Sequence, residues 1–360
     1  MSAAGRTADG SIDLPEIEEA AIAELGLRRI TTDELTIARV EHGDGVRFSD
    51  TRRSRPVNGI HLKRIKALVI PPAWRDVRIA RDKQAHLQAI GRDEAGRLQY
   101  IYHSAWDDVR AVSKAYRLIE LGKALPRLRA AIAKDIAPGS PSMALAAAAR
   151  LVDVAYLRAG HEAYAGDEGG RGVATLLKRH VRIDQHTLTL SFRGKGGKKV
   201  DKQVEDQALA AALVVLHEWR GTRLFKLEAN GALRPMTALD LNSYLVARSR
   251  RSISAKDFRT FFASARALAR LERCELPRSN AGRRRIIAGI AGEISGELAN
   301  TPAITRKSYI HPVIIEAFEQ GALIKPASSR PRRGLTAAES GLVRFLERYI
   351  SKDPPIKPGR

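Results

Sequence analysis

The segment Asn300-Thr-Pro-Ala-Ile-Thr-Arg-Lys-Ser-Tyr309 sets a tyrosine at the close of a basic turn opened by proline. A phenolate is poorly matched to peptide or ester hydrolysis. It suits phosphoryl transfer, because it can attack a phosphodiester and later leave again. A phosphate also needs cations and hydrogen-bond donors around it, and four other places offer them. Arg158 lies in Tyr156-Leu-Arg-Ala-Gly-His-Glu-Ala-Tyr164, expected near the end of a helix otherwise short of charge. Lys195 stands at the tip of the hairpin Ser191-Phe-Arg-Gly-Lys-Gly-Gly-Lys198, where glycines let backbone lie close to a ligand. Arg259 falls in Lys256-Asp-Phe-Arg-Thr-Phe261, at an expected helix start, where free amides already favour anions. Asn300 stands nine residues before Tyr309. Taken singly, each is more often a capping cation, a solvated turn or a surface ring. Only their joint order carries weight.

The chain has 360 residues, enough for one large domain or two modest ones with separate cores. Its 62 Lys and Arg against 40 Asp and Glu leave a net charge of +22. Such an excess favours a polyanionic partner, because neutralised phosphates release condensed counterions. The basic residues are spread along the chain, which argues for a folded basic groove over a disordered arm. The phosphodiester indicated is therefore one in a nucleic acid backbone.

Cys274 is the one cysteine, so no internal disulfide is possible and a reducing compartment is indicated. The first residues are polar and acidic, unlike a signal peptide. The most apolar stretch, Met143 to Leu157, is cut by Arg150 and Asp153. A cytoplasmic protein away from membranes is expected, associated with the nucleoid if bacterial. There is no Gly-x-x-x-x-Gly-Lys-Ser/Thr phosphate loop and no paired Cys/His metal spacing, so neither nucleotide cofactor nor metal is expected. Gly194-Lys-Gly-Gly-Lys198 lacks the upstream glycine and following helix of such a loop. His103, His161 and His311 read as surface or hydrogen-bonded side chains.

The periodicity predicts an α+β protein: a small mixed N-terminal β-sheet domain, then a larger, mainly helical one carrying a small antiparallel sheet. Residues 1–24 are expected as a flexible N-terminus, 25–107 as the β-rich domain, 108–326 as the helical domain and 327–360 as a basic tail with one helix. Leu62 to Ile70 has helical spacing and is stopped by Pro71-Pro72, while Val77–Ala80 and Leu98–Tyr102 alternate as strands. Val109 to Ile136 reads as helical, bent or divided at Pro126. A long Ala-rich helix is predicted from Ser142 to about Tyr164, followed by a Gly-rich loop, Gly166 to Gly172. Val181–Ile183, Thr187–Phe192 and Lys199–Val204 form a compact β unit, and the chain beyond Asp206 reads as helical to about residue 320, with turns near Gly221, Gly231, Pro277 and Pro302.

The order Arg158, Lys195, Arg259, Asn300, Tyr309 resembles that of type IB DNA topoisomerases, most closely the small poxviral and bacterial branch. Longer segments are similar too: Ile70-Pro-Pro-Ala-Trp-Arg-Asp-Val77, His86-Leu-Gln-Ala-Ile-Gly-Arg92, Gly96-Arg-Leu-Gln-Tyr-Ile-Tyr-His103 and Ala124-Leu-Pro-Arg-Leu-Arg129. Gly172-Val-Ala-Thr-Leu-Leu-Lys178 and Thr301 to Tyr309 continue the resemblance, which spans roughly residues 30 to 325. It implies a C-shaped DNA clamp that relaxes supercoiled duplex by transient cleavage of one strand, without ATP or metal. Tyr309 would be the nucleophile that becomes linked to the DNA 3′ end. Lys195 would protonate the leaving 5′ oxygen with help from Arg158. Arg158 and Arg259 would grip the non-bridging oxygens, and Asn300 would donate a hydrogen bond to one of them.

Asn300 departs from the poxviral histidine; an amide donates a hydrogen bond but carries no proton or charge at neutral pH. Gln99, Tyr100, Tyr102, Tyr164 and Lys256 are expected DNA contacts. The same resemblance implies a monomer acting on double-stranded DNA. The rival readings are a tyrosine recombinase, which would normally have histidine at the position of Lys256, and a DNA-binding relative that has lost catalysis.

Overall fold

The computed structural model describes residues 14–43, 45–53, 55–57, 59–165, 170–323 and 331–351; the side chains of Leu14, His42 and Tyr164 lie outside that description. Among them, two compact units separate between Ser113 and Lys114.

The first unit holds helices α1 (Leu14–Glu24) and α2 (Gly59–Ala67) and strands β1 (Ile37–His42), β2 (Gly45–Asp50), β3 (Arg55–Pro56), β4 (Arg75–Ile79), β5 (Leu87–Arg92) and β6 (Leu98–Tyr102). The strands form one antiparallel sheet in the order β3-β2-β1-β4-β5-β6. Val77 and Ile79 alternate onto the face that buries Ile65 of α2, with Ile37 and Ala89 completing that cluster. Residues 14–24, expected within the flexible start, form α1 instead. Its Ala21 and Ile22 are buried with Leu27, Trp106 and Val109, and Arg29 pairs with Glu18 and Glu19. A short apolar stripe with a large indole to cover is enough to dock an otherwise acidic helix.

Helix α3 (Trp106–Asp135) begins in the first unit, and its part in the second runs unbroken through Pro126, which was expected to bend or divide it. Leu121, Leu125 and Leu128 are almost wholly buried on either side, so packing outweighs the lost backbone bond. Gly122 stands at the i−4 position, and its missing side chain makes room for Val343 and Phe261. The Ala-rich α4 (Met143–Ala155) is the buried centre of the unit, but it stops well short of Tyr164. Tyr156 turns left-handed (φ 54°), and the chain beyond it pairs with a neighbouring loop.

Strands β7 (Val181–Asp184), β8 (Thr187–Arg193) and β9 (Lys199–Glu205) make a three-stranded antiparallel sheet whose Leu188, Leu190 and Phe192 face the core. Helix α5 (Gln207–Glu218) is capped by the Asp206 carboxylate. The stretch beyond Asp206, expected helical, also contains the hairpin β10 (Lys226–Ala229) and β11 (Ala232–Pro235). Asn230 and Gly231 both take positive φ at its turn, the geometry that two-residue hairpins require.

Then follow α6 (Ala238–Ser249), α7 (Ala255–Leu271), α8 (Asn280–Leu298), the single turn α9 (Pro302–Ile304), a π-turn at Thr305–Tyr309, and α10 (Pro312–Glu319). Helix α11 (Ala337–Ser351), expected as a tail element, buries Leu342, Val343 and Leu346 in the same core as α7. Among the described residues no helix is long and apolar enough to cross a membrane.

The close approach of α3, α7 and α11 yields a test. Gly122→Val should lower unfolding stability by at least about 1–3 kcal/mol through overpacking. Urea denaturation followed by circular dichroism measures it, and an unchanged midpoint would contradict this packing.

Candidate active site

Helix α7 is buried along most of its length, and two of its side chains build the site. Arg259 is almost fully buried and donates to the carbonyl of Tyr156 and, at 2.8 Å, to that of Leu298. These carbonyls lie at the C-terminal ends of α4 and α8, where unpaired carbonyls and the helix dipole favour a cation. Ser264, one turn and a little further along α7, donates to the Tyr309 carbonyl at 3.1 Å and accepts from the amide of His311 at 3.0 Å.

Tyr309 closes the π-turn and is buried. Thr301 caps the preceding turn and Pro302 occupies its first position, a combination that favours a helical start. The Arg259 guanidinium carbon lies 4.9 Å from the centre of the Tyr309 ring, and the hydroxyl interacts with both Arg259 and Arg158. Burial pushes the Tyr309 pKa up. The charges of Arg259 and then Arg158, with their hydrogen bonds, outweigh burial and leave it below the ordinary phenol value of 10.0. Burial and the like charge of Arg158 push the Arg259 pKa down to about 10, so it stays charged at neutral pH.

Arg158 is held by an unusually close backbone contact. Its carbonyl accepts the amide of Val173 at 2.8 Å, and the next carbonyl accepts that of Ala174 at 2.7 Å. A Cβ on Gly172 would lie 2.5 Å from the Arg158 oxygen, and one on Gly160 (φ 87°) would meet the Gly172 backbone at 2.9 Å. Only paired glycines fit there. The Arg158 guanidinium donates to Asn300 Oδ1 at 2.6 Å. Because guanidinium cannot accept, Oδ1 must face it, which aims Nδ2 elsewhere; Nδ2 is buried and makes no hydrogen bond with a described residue. Asn300 follows Ala299, which turns left-handed (φ 47°) at the end of α8.

Arg158, Arg259, Asn300 and Tyr309 are thus gathered by the fold. Lys195 is not brought into contact with them: its side chain is exposed and makes no hydrogen bond or ion pair with a described residue. The hairpin that carries it is tied to the site by Lys198, whose ammonium donates to the Asn300 carbonyl at 3.0 Å. Gly170 leaves no space for a Cβ beside the Lys195 backbone. A cavity of about 10 Å³ beside these groups is lined by Arg158, Arg171, Lys202 and Arg259 and by no carboxylate. Burial and then Arg259 push the Lys202 pKa down to about 8. Sequence reasoning missed Ser264, Lys198, Lys202 and the Gly160–Gly172 contact. A glycine on each side of the expected loop was the only available signal.

In the first unit, the rings of Tyr100 and Tyr102 stack at 6.1 Å, and Tyr102 stacks in turn on Trp106 at 5.8 Å. Arg110 covers Tyr102 at 4.5 Å, so Tyr102 is packed while Tyr100 is the open end of the stack. Gln99 donates to Asp93 at 2.9 Å. Lys256 is exposed in the first turn of α7. Tyr164, expected on a helix, ends a short 3₁₀ turn instead, and its side chain lies outside the described residues; so do residues 166–169 of the Gly-rich loop. His311 is fully buried and caps α10, and among the described residues no cluster of His, Cys, Asp and Glu could hold a metal ion.

The family model for the catalytic core of eukaryotic DNA topoisomerase I matches residues 103–320. That for the N-terminal domain of bacterial DNA topoisomerase IB matches residues 45–93. The DNA topoisomerase 1B of Acanthamoeba polyphaga mimivirus is 28% identical over 293 residues, which is 79% of this chain and 87% of the viral protein. The chain belongs to the DNA topoisomerase I family. Within it, the bacterial N-terminal match and the viral relative mark a type IB enzyme.

The electrostatics of Tyr309 can be read directly by alkaline spectrophotometric titration. Wild type minus Tyr309→Phe should show one phenol ionising below 10.0. Adding Arg158→Ala removes a favourable charge and leaves burial, so that ionisation should move upward. No movement would break the assigned contact.

Proposed function

We propose that the enzyme relaxes supercoiled DNA through a covalent intermediate on Tyr309. The phenolate oxygen attacks the scissile phosphorus, the bond to the 5′ oxygen breaks, and the DNA 3′ phosphate becomes joined to the ring. Lys195 gives its proton to the departing 5′ oxygen, assisted by Arg158. Arg158 and Arg259 hold the non-bridging oxygens, for which a planar guanidinium fork is well matched. The Asn300 amide, whose Nδ2 makes no hydrogen bond with a described residue, donates to one of the same oxygens. The observation that carries this reading is the gathering of the four groups: the Arg259 guanidinium carbon 4.9 Å from the Tyr309 ring centre, and Arg158 bonded to Asn300 at 2.6 Å.

A phosphotyrosyl bond keeps the energy of the phosphodiester it replaces. Religation is the same path reversed, so the cycle needs neither ATP nor metal. While the strand is open, the duplex beyond the break rotates and torsion falls. One chain supplies all five residues, which fits a monomer. The exposed ammonium of Lys195, without a hydrogen-bond or ion-pair partner among the described residues, is available to a leaving oxygen. Tyr100, Gln99, Tyr164 and Lys256 would contact the duplex, Tyr100 with the exposed ring of its stack; Tyr102 would serve mainly to support that ring. In a bacterium the site of action is the nucleoid.

Denaturant trapping of the covalent protein–DNA adduct tests the nucleophile. Tyr309→Phe should give no adduct and no plasmid relaxation; adduct equal to wild type would end the assignment. Lys195→Ala should slow cleavage by about 10²–10⁴-fold, and Asn300→Ala by about 10²–10³-fold. DNA affinity should fall steeply with salt, with a log–log slope of about −0.9 per phosphate neutralised.

A further inference from the structure

Tyr309 is aimed by its backbone as well as by the arginines, and α3 contributes a side chain that touches none of the reacting groups. The Lys114 ammonium donates to the Ser308 carbonyl at 3.3 Å and to the Ile310 carbonyl at 3.1 Å. Between these two, the Tyr309 carbonyl takes the Ser264 hydroxyl at 3.1 Å. Three consecutive carbonyls, those of residues 308, 309 and 310, are therefore held by side chains from α3 and α7.

The chain needs this help locally. The π-turn ends at Tyr309 and Ile310 is extended (φ −81°, ψ 135°), so the last carbonyls of the turn have no following helical amides to take them. One ammonium has three donors and can serve two carbonyls at once, which a hydroxyl cannot. Lys114 makes no ion pair with a described residue, and burial followed by the like charge of Lys256 pushes its pKa down to about 8. A cation kept against neutral carbonyls, near another cation, is not accounted for by ion pairing.

We propose that Lys114, together with Ser264, is a positioning residue for the nucleophile: the pair fixes the backbone of residues 308–310 so that the phenol keeps its line of attack. This rests on Tyr309 being the nucleophile. As the ring becomes bonded to phosphorus and is later released, the anchored carbonyls stop the main chain from following it. The clamp acts on the transition state shared by cleavage and religation. Its loss slows both steps by the same factor and leaves the cleavage equilibrium unchanged.

Single-turnover kinetics on a duplex oligonucleotide cleaved by the wild type test this. Lys114→Met should lower the cleavage rate constant at saturating DNA by about 10–100-fold, the scale of a misplacement near 1 Å. Religation should slow equally, with the fraction of DNA cleaved at equilibrium and the DNA dissociation constant within about twofold of wild type. Loss of amplitude with an unchanged rate constant would indicate merely less folded protein and overturn the proposal. So would a rate within twofold of wild type. Should Lys114→Met fail to fold, Ser264→Ala, which frees the middle carbonyl, carries the same expectation and the same refutation. Tyr309→Phe is run alongside: if it still forms adduct, the nucleophile reading fails. If it forms none while the clamp variants cleave normally, only the positioning proposal fails.

Discussion

A phenol lying under one buried guanidinium and within the field of a second, half-buried one is the constraint around which the catalytic unit is built. Burying such charge is unfavourable by roughly several kcal/mol per ion unless partners replace water. Among the described residues Arg259 has no carboxylate partner. It is stabilised instead by carbonyls at the C-terminal ends of α4 and α8, which carry partial negative charge without neutralising it. A carboxylate would have satisfied the guanidinium more completely and would then have competed with an entering phosphate. Carbonyls leave the net positive charge intact, and the neighbouring cavity has cations and, among the described residues, no acid in its lining.

The same two helix ends aim the rest of the site. Helix α4 stops at Tyr156 and α8 at Ala299, each a non-glycine residue with φ near +50°. That conformation is mildly strained for a residue with a side chain, and such strain persists where surroundings over-determine it. Here the carbonyls released at those ends hold Arg259, while the redirected chains deliver Arg158 two residues later and Asn300 one residue later. The Gly160–Gly172 contact then fixes the carbonyl side of Arg158. Local backbone departures, the π-turn before Tyr309 included, concentrate where the functional side chains emerge.

Much of this was legible in the sequence, for reasons that differ by element. The sheet β7-β8-β9 follows from short alternating runs separated by turn residues, and the paired tyrosines of β6 from strand alternation. The order of the five chemical residues was visible because each sits in a long segment with family character. What failed were readings where tertiary packing overrides local preference. Pro126 predicts a break, but flanking leucines and Gly122 absorb it. The Ala-rich run predicts a helix to Tyr164, but backbone pairing with Val173 and Ala174 competes and wins. The turn near Gly231 was legible, but the short strands on either side of it were concealed by helical composition beyond them. Ser264 and Lys198 were invisible because a serine in a helix and a lysine in a turn acquire meaning only from the carbonyls they reach.

The asparagine at position 300 makes electrostatic sense in this setting. Arg158, Arg259, Lys202 and Arg171 already share the lining of one cavity, and burial, followed by mutual repulsion, lowers the pKa values of Arg259 and Lys202. A histidine here would have its charged form disfavoured by the same neighbours, so it too would act as a neutral donor. It would also need one particular tautomer, with one nitrogen facing Arg158 as acceptor and the other protonated. The amide has both groups fixed on one plane and no proton to lose. With Oδ1 committed to Arg158, Nδ2 is left as a neutral donor at every physiological pH. Under the proposed mechanism the proton would then come from a group apart from the cluster, a place that the exposed ammonium of Lys195 fits.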